Sequence, residues 1–371
     1  MQQVSRVPLL SRCKAIVSVR AGVPSVAVGN LSQQLSISQI SVKKLIITGA
    51  TGWIGREVAV KAAALGFEVV ALDAVPLAKG PWIAYRIADI ASDDILSLAV
   101  APVMHGAFAI IHCAGYAHRP IETADEIKRF HAINRDGTAR VLELARRIGV
   151  SRFVYLSSIA FYDWRKGCDF DEDGPTAATT AYAESKLAGE RLCRMSGLDW
   201  RVARLGTVFG AGDRANFAKL ARAMAHRRFV VPGRGCARKS VLPISLAAEL
   251  LVELSLRESV AHRIVNLALP NPATLSEICN AYSQVCGFPR AHQVPLGVLR
   301  LLGCIGDLVV RRYPEFPLTS SNLLKLTTST SVNAKRMLAV WPDRRWENFQ
   351  YWLAQSVEFY RYQSGIASVH D

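Results

Sequence analysis

Residues 44–55 read KLIITGATGWIG: a short apolar run, a turn carrying three glycines, and the opening of a helix. Lys44–Ile47 has the uninterrupted, β-branched character of a strand buried on both faces. Gly49, Gly52 and Gly55 permit a tight reversal and a close backbone approach. The helix that follows presents its first N–H groups to whatever lies in front of the turn. Helical character over Glu57–Leu65 stops at Gly66, and Phe67–Leu72 is the next buried strand. In this setting the Gly-rich turn is a dinucleotide fingerprint, with Gly49, Thr51, Gly52, Trp53, Ile54 and Gly55 set against a pyrophosphate.

Asp73 closes that second strand, where a carboxylate accepts both ribose hydroxyls of NAD and repels the 2′-phosphate of NADP. No Arg follows it immediately, so NAD is the expected cofactor and NADP the alternative. Ala109–His112, Arg152–Leu156 and Trp200–Leu205 are further strands, with helical patterns over Glu126–Ile148 and Ala181–Met195 between them. Strands alternating with helices predict an α/β fold with a doubly wound parallel sheet. Asp89, ahead of Ile90, has two roles open to it: acceptor for the adenine amino group, or helix N-cap. Cys113, Ala114 and Gly115 follow their strand with small residues. They read either as a plain strand-to-loop transition or as backbone laid against the nicotinamide-side phosphate and ribose.

Ser158 follows the strand Arg152–Leu156, and Tyr182 opens the next helix with Lys186 one turn along the same face. Tyr-x-x-x-Lys by itself is a common accident; order and place give it weight here. A phenol of pKa ~10 is a poor base at neutral pH, and an adjacent ammonium favours its ionised form. Tyr182 is then able to take a proton from a substrate hydroxyl. Ser158 hydrogen-bonds the same oxygen, and Lys186 holds the nicotinamide ribose. A nucleophilic-serine reading fails for want of a Gly-x-Ser-x-Gly elbow around Ser158.

With 371 residues, half of them hydrophobic and 20% charged, the chain is able to bury a large core. The net charge of +15 owes part to residues 1–56, which hold no Asp or Glu; the first acid of the chain is Glu57. Such charge implies a solvated basic surface or a field that draws in an anionic substrate. No zinc-finger spacing, RNP motif or basic heptad helix supports a nucleic-acid partner. Eight cysteines without a CxxC pair argue against a metal site and a disulfide framework, and fit a reducing compartment. No apolar run reaches the ~18 residues of a bilayer span. Leu296–Val310, interrupted by Arg300 and Asp307, reads as an amphipathic helix. Residues 1–41 are expected to be a disordered or artefactual basic tail on a cytoplasmic protein, with an organelle transit peptide as the alternative.

In order, TGATGWIG (48–55), Asp73, Asp89-Ile90, HCAG (112–115), Asn134, SSIAFY (157–162), YAESK (182–186) and RLGTVFG (204–210) resemble the extended short-chain dehydrogenase/reductase superfamily. They are most similar to its NAD-dependent nucleotide-sugar epimerase/dehydratase branch, over about residues 43–270. The resemblance implies a Rossmann sheet whose dinucleotide is bound at Gly49, Gly52, Gly55, Asp73, Asp89 and Ile90. It implies catalysis by Ser158, Tyr182 and Lys186, and a brace of the cofactor-side backbone at Asn134. Arg238 matches the arginine that clamps a substrate diphosphate. Ser157-Ser158-Ile159 stands where the dehydratases carry Thr-Asp-Glu, which argues against dehydration.

The implied organisation is an NAD-binding domain over 42–205, with 238–268 returning to it, and a smaller mixed C-terminal substrate domain from 206–237 and 269–371. The implied activity is oxidation, reduction or epimerisation at a hydroxyl or keto carbon of a nucleotide-activated sugar, with Tyr182 as general base and acid. A hydroxysteroid-type dehydrogenase or ketone reductase, and a non-catalytic NAD-binding protein, are the alternatives. A homodimer through the Tyr182 helix is implied as well.

Overall fold

Uninterrupted apolar runs become the inner strands of one sheet in the computed structural model, which describes residues 43–76, 79–117, 123–260, 262–313 and 316–365. The expected tail at 1–41 lies outside the described residues. The strands are β1 (Lys44–Thr48), β2 (Glu68–Asp73), β3 (Ala84–Ile87), β4 (Ala107–His112), β5 (Arg152–Ser158) and β6 (Asp199–Leu205). The short strands β7 (Thr207–Phe209), β8 (Val230–Pro232), β9 (Arg238–Lys239) and β10 (Val241–Pro243) follow, then β11 (Ile264–Leu267), β12 (Ala273–Thr274) and β13 (His292–Val294). Seven of them form a parallel sheet in the order β11-β6-β5-β4-β1-β2-β3. Ile264–Leu267 joins β6 in that sheet, whereas Val241–Pro243 pairs with β7 outside it.

Parallel neighbours need crossovers, and these place helices on both faces. Alternation along β1 sends Leu45 and Ile47 to one side and Ile46 to the other. The first side is covered by α1 (Trp53–Ala64), through Val58, Ala59 and Ala62, and by α6 (Ile244–Leu256), apolar along most of its length. The second is covered by α3 (Thr138–Arg147) and α4 (Ala181–Met195). The chain runs outward from β1 to β3 and then returns to β4 on the opposite side of β1. That reversal opens a crevice at the C-terminal ends of β1 and β4, where ligands bind in such sheets.

The helix expected over Glu126–Ile148 is divided. A capping box of Thr123 and Glu126 starts α2 (Ala124–Phe130), which widens into π-helical turns over His131–Gly137 before α3 begins. The wider turn puts Asn134, Gly137 and Thr138 together on the buried side. Gly137 fits there because a Cβ would lie 2.8 Å from Cδ1 of Ile90.

Beyond β11 the chain adds α7 (Leu275–Cys286), α8 (Leu296–Val309), α9 (Ser320–Thr327), α10 (Lys335–Val340), α11 (Phe349–Ala354) and α12 (Val357–Gln363), with α5 (Asn216–Ala225) lying earlier in the chain. Tyr282, Phe349 and Tyr360 from this region join the core that α1 and α6 cover. No helix among the described residues is long and apolar enough to cross a membrane.

Packing of α4 on β5 is tight enough to test. A Cβ on Gly189 would fall 2.2 Å from the Tyr155 hydroxyl and 2.6 Å from its ring. Gly189→Ala is therefore expected to cost about 1–3 kcal/mol through overpacking. Tyr155→Phe should recover part of that loss, so a denaturation cycle on the two single variants and the pair should show strong non-additivity.

Candidate active site

A cavity of about 450 Å³ opens at the C-terminal ends of the sheet. Gly49, Gly52 and Gly55 of the Gly-rich turn line it, and so do Ser158, Tyr182 and Lys186, with Ser158 hydrogen-bonded to Tyr182. Thr180 caps α4 by accepting from the N–H of Ala183, which fixes where Tyr182 leaves the helix. Lys186, one turn on, donates from Nζ to the Leu156 carbonyl at 2.8 Å and sits 5.1 Å from the centre of the Tyr155 ring. Burial lowers the Lys186 pKa to about 8. Burial also raises that of Tyr182, while a hydrogen bond with Ser158 works in the opposite direction. Ser158 Oγ accepts from the N–H of Ala160 at 3.1 Å, which fixes its rotamer at the strand end.

Asn134 links the loop after β4 to α4. Its Oδ1 accepts from Tyr116 N at 2.7 Å, and its Nδ2 donates to Tyr116 O and Ser185 Oγ, both at 2.9 Å. Ser185 in turn donates to the carbonyl of Tyr182. A second chain lies beneath it. Ala114 N donates to Thr48 Oγ1, which lies 2.6 Å from His112 Nδ1. His112 Nε2 lies 3.1 Å from Thr138 Oγ1, whose hydroxyl donates to Asn134 O. With the Thr138 proton committed, Nε2 must be the ring donor, so Nδ1 accepts from Thr48. His112 is thus neutral, and burial lowers its pKa to about 3.

The turn is held by its own contacts. Gly49 has φ of +65°, and a Cβ there would fall 2.6 Å from Ala114 Cα. A Cβ on Gly55 would fall 2.1 Å from the Gly49 carbonyl oxygen, so only glycine allows α1 to start so close to β1. Asp73 Oδ2 accepts from both N and Oγ1 of Thr51, and Oδ1 accepts from Ala74 N, which fixes the carboxylate at the end of β2 beside the turn. Helix α1 has no side-chain cap and no acid in its first turn, leaving its N–H groups directed at the cavity that Gly52, Trp53, Ile54 and Gly55 line.

Not every expected residue meets the cavity. Cys113 and Gly115 line it, whereas Ala114 sits behind, hydrogen-bonded to Thr48. Asp89 is exposed and accepts from Ala91 N, and Ile90 is buried against Gly137. Arg238 stands outside the lining with Nη1 2.8 Å from Asp169 Oδ2, in an ion pair that is largely open to water.

Several contributors were missed from sequence. Trp164, Thr207, Val208 and Thr330 line the cavity. Behind Ser158, Ser157 Oγ donates to Glu190 Oε1 at 2.6 Å, and Glu190 forms a two-pronged pair with Arg204 at 2.9 and 2.8 Å. Arg204 also donates to the Tyr162 hydroxyl and the Glu172 carbonyl. Burial opposes the guanidinium charge, but the Glu190 pair outweighs it and raises the Arg204 pKa. The available signal was spacing: Tyr182, Lys186 and Glu190 follow one another at i, i+4 and i+8.

A family model described as NAD dependent epimerase/dehydratase matches residues 45–268. The chain belongs to that family. The chain is 28% identical to UDP-glucose 4-epimerase of Vibrio cholerae over 189 residues, covering 48% of this chain and 56% of the other. It is 26% identical to UDP-glucuronic acid decarboxylase 1 of Danio rerio over 274 residues, covering 69% and 63%. The chain spans about half the length of most of the curated relatives it matches. UDP-glucuronic acid 4-epimerase from Bacillus cereus, solved with UDP-glucuronic acid and NAD, superposes with a TM-score of 0.66 at 16% identity, over 86% of this chain and 99% of that one. The shared fold is that of the extended short-chain dehydrogenases.

Membership places the chain among NAD-dependent enzymes of the extended short-chain type, and the site fits that cofactor. The uncapped start of α1 suits a pyrophosphate, the glycines let the turn pack closely beneath it, and Asp73 closes β2 beside that turn.

Two outcomes follow from the buried groups. Because His112 titrates at about 3 when folded and near 6.5 when unfolded, the unfolded chain binds the extra proton between those values. Stability should hold above about pH 6.5 and fall as pH drops through that window, and His112→Gln should flatten the fall in denaturant titrations. Arg204→Leu should cost about 3–5 kcal/mol by stranding the Glu190 charge. Replacing both partners with Glu190→Leu and Arg204→Met should cost much less in the same unfolding assay.

Proposed function

We propose that the enzyme oxidises or reduces a carbon of a nucleotide-activated sugar, in net turnover or as the transient keto step of an epimerisation. The observation that carries this reading is that Ser158, Tyr182 and Lys186 line the same cavity as the Gly-rich turn. Relatives named for UDP-glucose and UDP-glucuronic acid supply the substrate class.

Tyr182 takes the hydroxyl proton of the sugar carbon as the C–O bond gains double-bond character, and returns it in the reverse step. Ser158 hydrogen-bonds the same oxygen and holds it against the phenol. Lys186 carries its charge below about pH 8 and lowers the cost of forming the phenolate. NAD, held along the Gly-rich turn and by Asp73, supplies the hydride acceptor and donor for that carbon. Segments 206–237 and 269–371 are assigned to the substrate side, lending Thr207, Val208, Asn216 and Thr330 to the cavity. Arg238 joins that side by exchanging Asp169 for a substrate phosphate.

Tyr182→Phe is expected to lower kcat by roughly 10²- to 10⁴-fold on UDP-sugars while leaving NAD affinity, measured by calorimetry, within a few-fold of the parent. Full turnover in that variant would sink the assignment. Dialysis separates the two modes: NAD that stays bound marks recycling within each epimerisation, and NAD that washes out marks net oxidation or reduction.

A further inference from the structure

Helix α8 is two-sided in an unusual sense, because both sides are apolar. Leu299, Gly303 and Gly306 face inward. Gly306 approaches the next segment so closely that a Cβ would overlap the Leu318 carbonyl, and Gly303 faces Ser320 at the start of α9. On the other side Val298, Leu301, Leu302, Ile305 and Leu308 are between 42% and 67% exposed. Their spacing of i, i+3, i+4, i+7 and i+10 draws one stripe about 15 Å long. Leu324 of α9 and Tyr313 are exposed as well. Apolar surface gathered in this way marks a contact site, whereas isolated exposed leucines do not.

Among the described residues, the charged side chains of α8 and the turn after it are Arg300, Arg311 and Arg312 against one acid, Asp307. Arg300, Arg311, Arg312 and Lys325 are exposed, and among the described residues none of them is in an ion pair. Arg312 lies over the Tyr313 ring at 5.9 Å, a cation beside an amphipathic ring. The one acid on the helix, Asp307, is turned to α9, where it accepts from Ser320 N at 2.9 Å.

We propose that this face docks on an anionic lipid surface, with α8 lying among the headgroups and its stripe reaching the acyl boundary. At 14 residues α8 is too short to span a bilayer, so the attachment is peripheral. A second copy of the chain is a poorer occupant. Antiparallel self-pairing of α8 sets Arg300 against Arg311 and Arg312 of the other copy, and parallel pairing sets each arginine against itself. Anionic headgroups match the same rim. The inference does not rest on the catalytic reading, since none of these residues lines the cavity.

The test is co-sedimentation of the full-length protein with vesicles of phosphatidylcholine alone or mixed with phosphatidylglycerol. Pelleting is expected with the mixed vesicles and should weaken as salt is raised. Leu301→Glu with Ile305→Glu should abolish it, and Arg311→Gln with Arg312→Gln should weaken it roughly tenfold. NAD binding serves as the check that each variant is folded. Pelleting by the α8 variants equal to the parent would overturn the proposal and place the contact on another basic region. Failure of the parent to pellet would overturn it too. So would a concentration-dependent oligomer, seen by ultracentrifugation, that Leu301→Glu dissolves.

Discussion

A neutral His112 is the constraint on which the site depends. The ring joins β1 to the π-helical turns, with Thr48 on one nitrogen and Thr138 on the other. Every proton in that chain has one consistent direction, from the backbone of Ala114 to Thr48 and from the ring to Thr138 and Asn134 O. A proton added at Nδ1 would face the Thr48 oxygen, which already accepts from Ala114, and would leave the Thr48 hydroxyl without its acceptor. Low local polarity makes such a conflict expensive, so the ring stays uncharged. The same chain holds the end of β1, from which the Gly-rich turn departs, and the residue whose side chain positions Tyr116 and Ser185. The Gly-rich turn and α4 are thereby set relative to each other by hydrogen bonds that neither loop supplies alone.

Behind this layer lies a more costly device. Glu190 and Arg204 are almost completely buried, and an ion pair in such a place seldom adds stability over well-packed apolar side chains. What it adds here is direction. The carboxylate also takes the hydroxyl of Ser157, and the guanidinium spans to Tyr162 and the Glu172 carbonyl. The Tyr162 hydroxyl donates to Asn266 Oδ1 in β11, and Asn266 N donates to Glu172 Oε1. Strands β5, β6 and β11 are tied across their C-terminal ends, next to Ser158. The network braces the end of β5, and with it the position of Ser158.

The fold was legible wherever its causes were local. Buried strands announce themselves by unbroken apolar runs, and Ala181–Met195 was bounded correctly because Thr180 caps it and Ala181, Ser185 and Lys186 repeat at helical spacing. Helical periodicity could not show the π turns at His131–Gly137, since the extra residue per turn is called for by partners far away in sequence, Tyr116 and His112. Glu190 and Arg204 lie 14 residues apart, on a helix and a strand, and their meeting depends on how α4 settles over β6. Arg238 shows the opposite limit. A motif match located the residue, but only the structure reveals Asp169 as the partner it already holds.

One contact joins the cofactor turn to the segment assigned to substrate. Trp53 opens α1 and donates from its indole Nε1 to the Ala211 carbonyl at 2.7 Å. Gly212 has φ of +85°, and a Cβ there would fall 2.8 Å from that nitrogen. The loop after β7 therefore folds against the indole with no side chain between them, and Asp213 secures its far end by accepting from Ala215 and Ala218 at the start of α5. Only a side chain with both a long apolar body and a donor at its edge makes this bridge, which phenylalanine would lose. Since Trp53 and Val208 both line the cavity, closing the loop on Trp53 sets the width of the crevice.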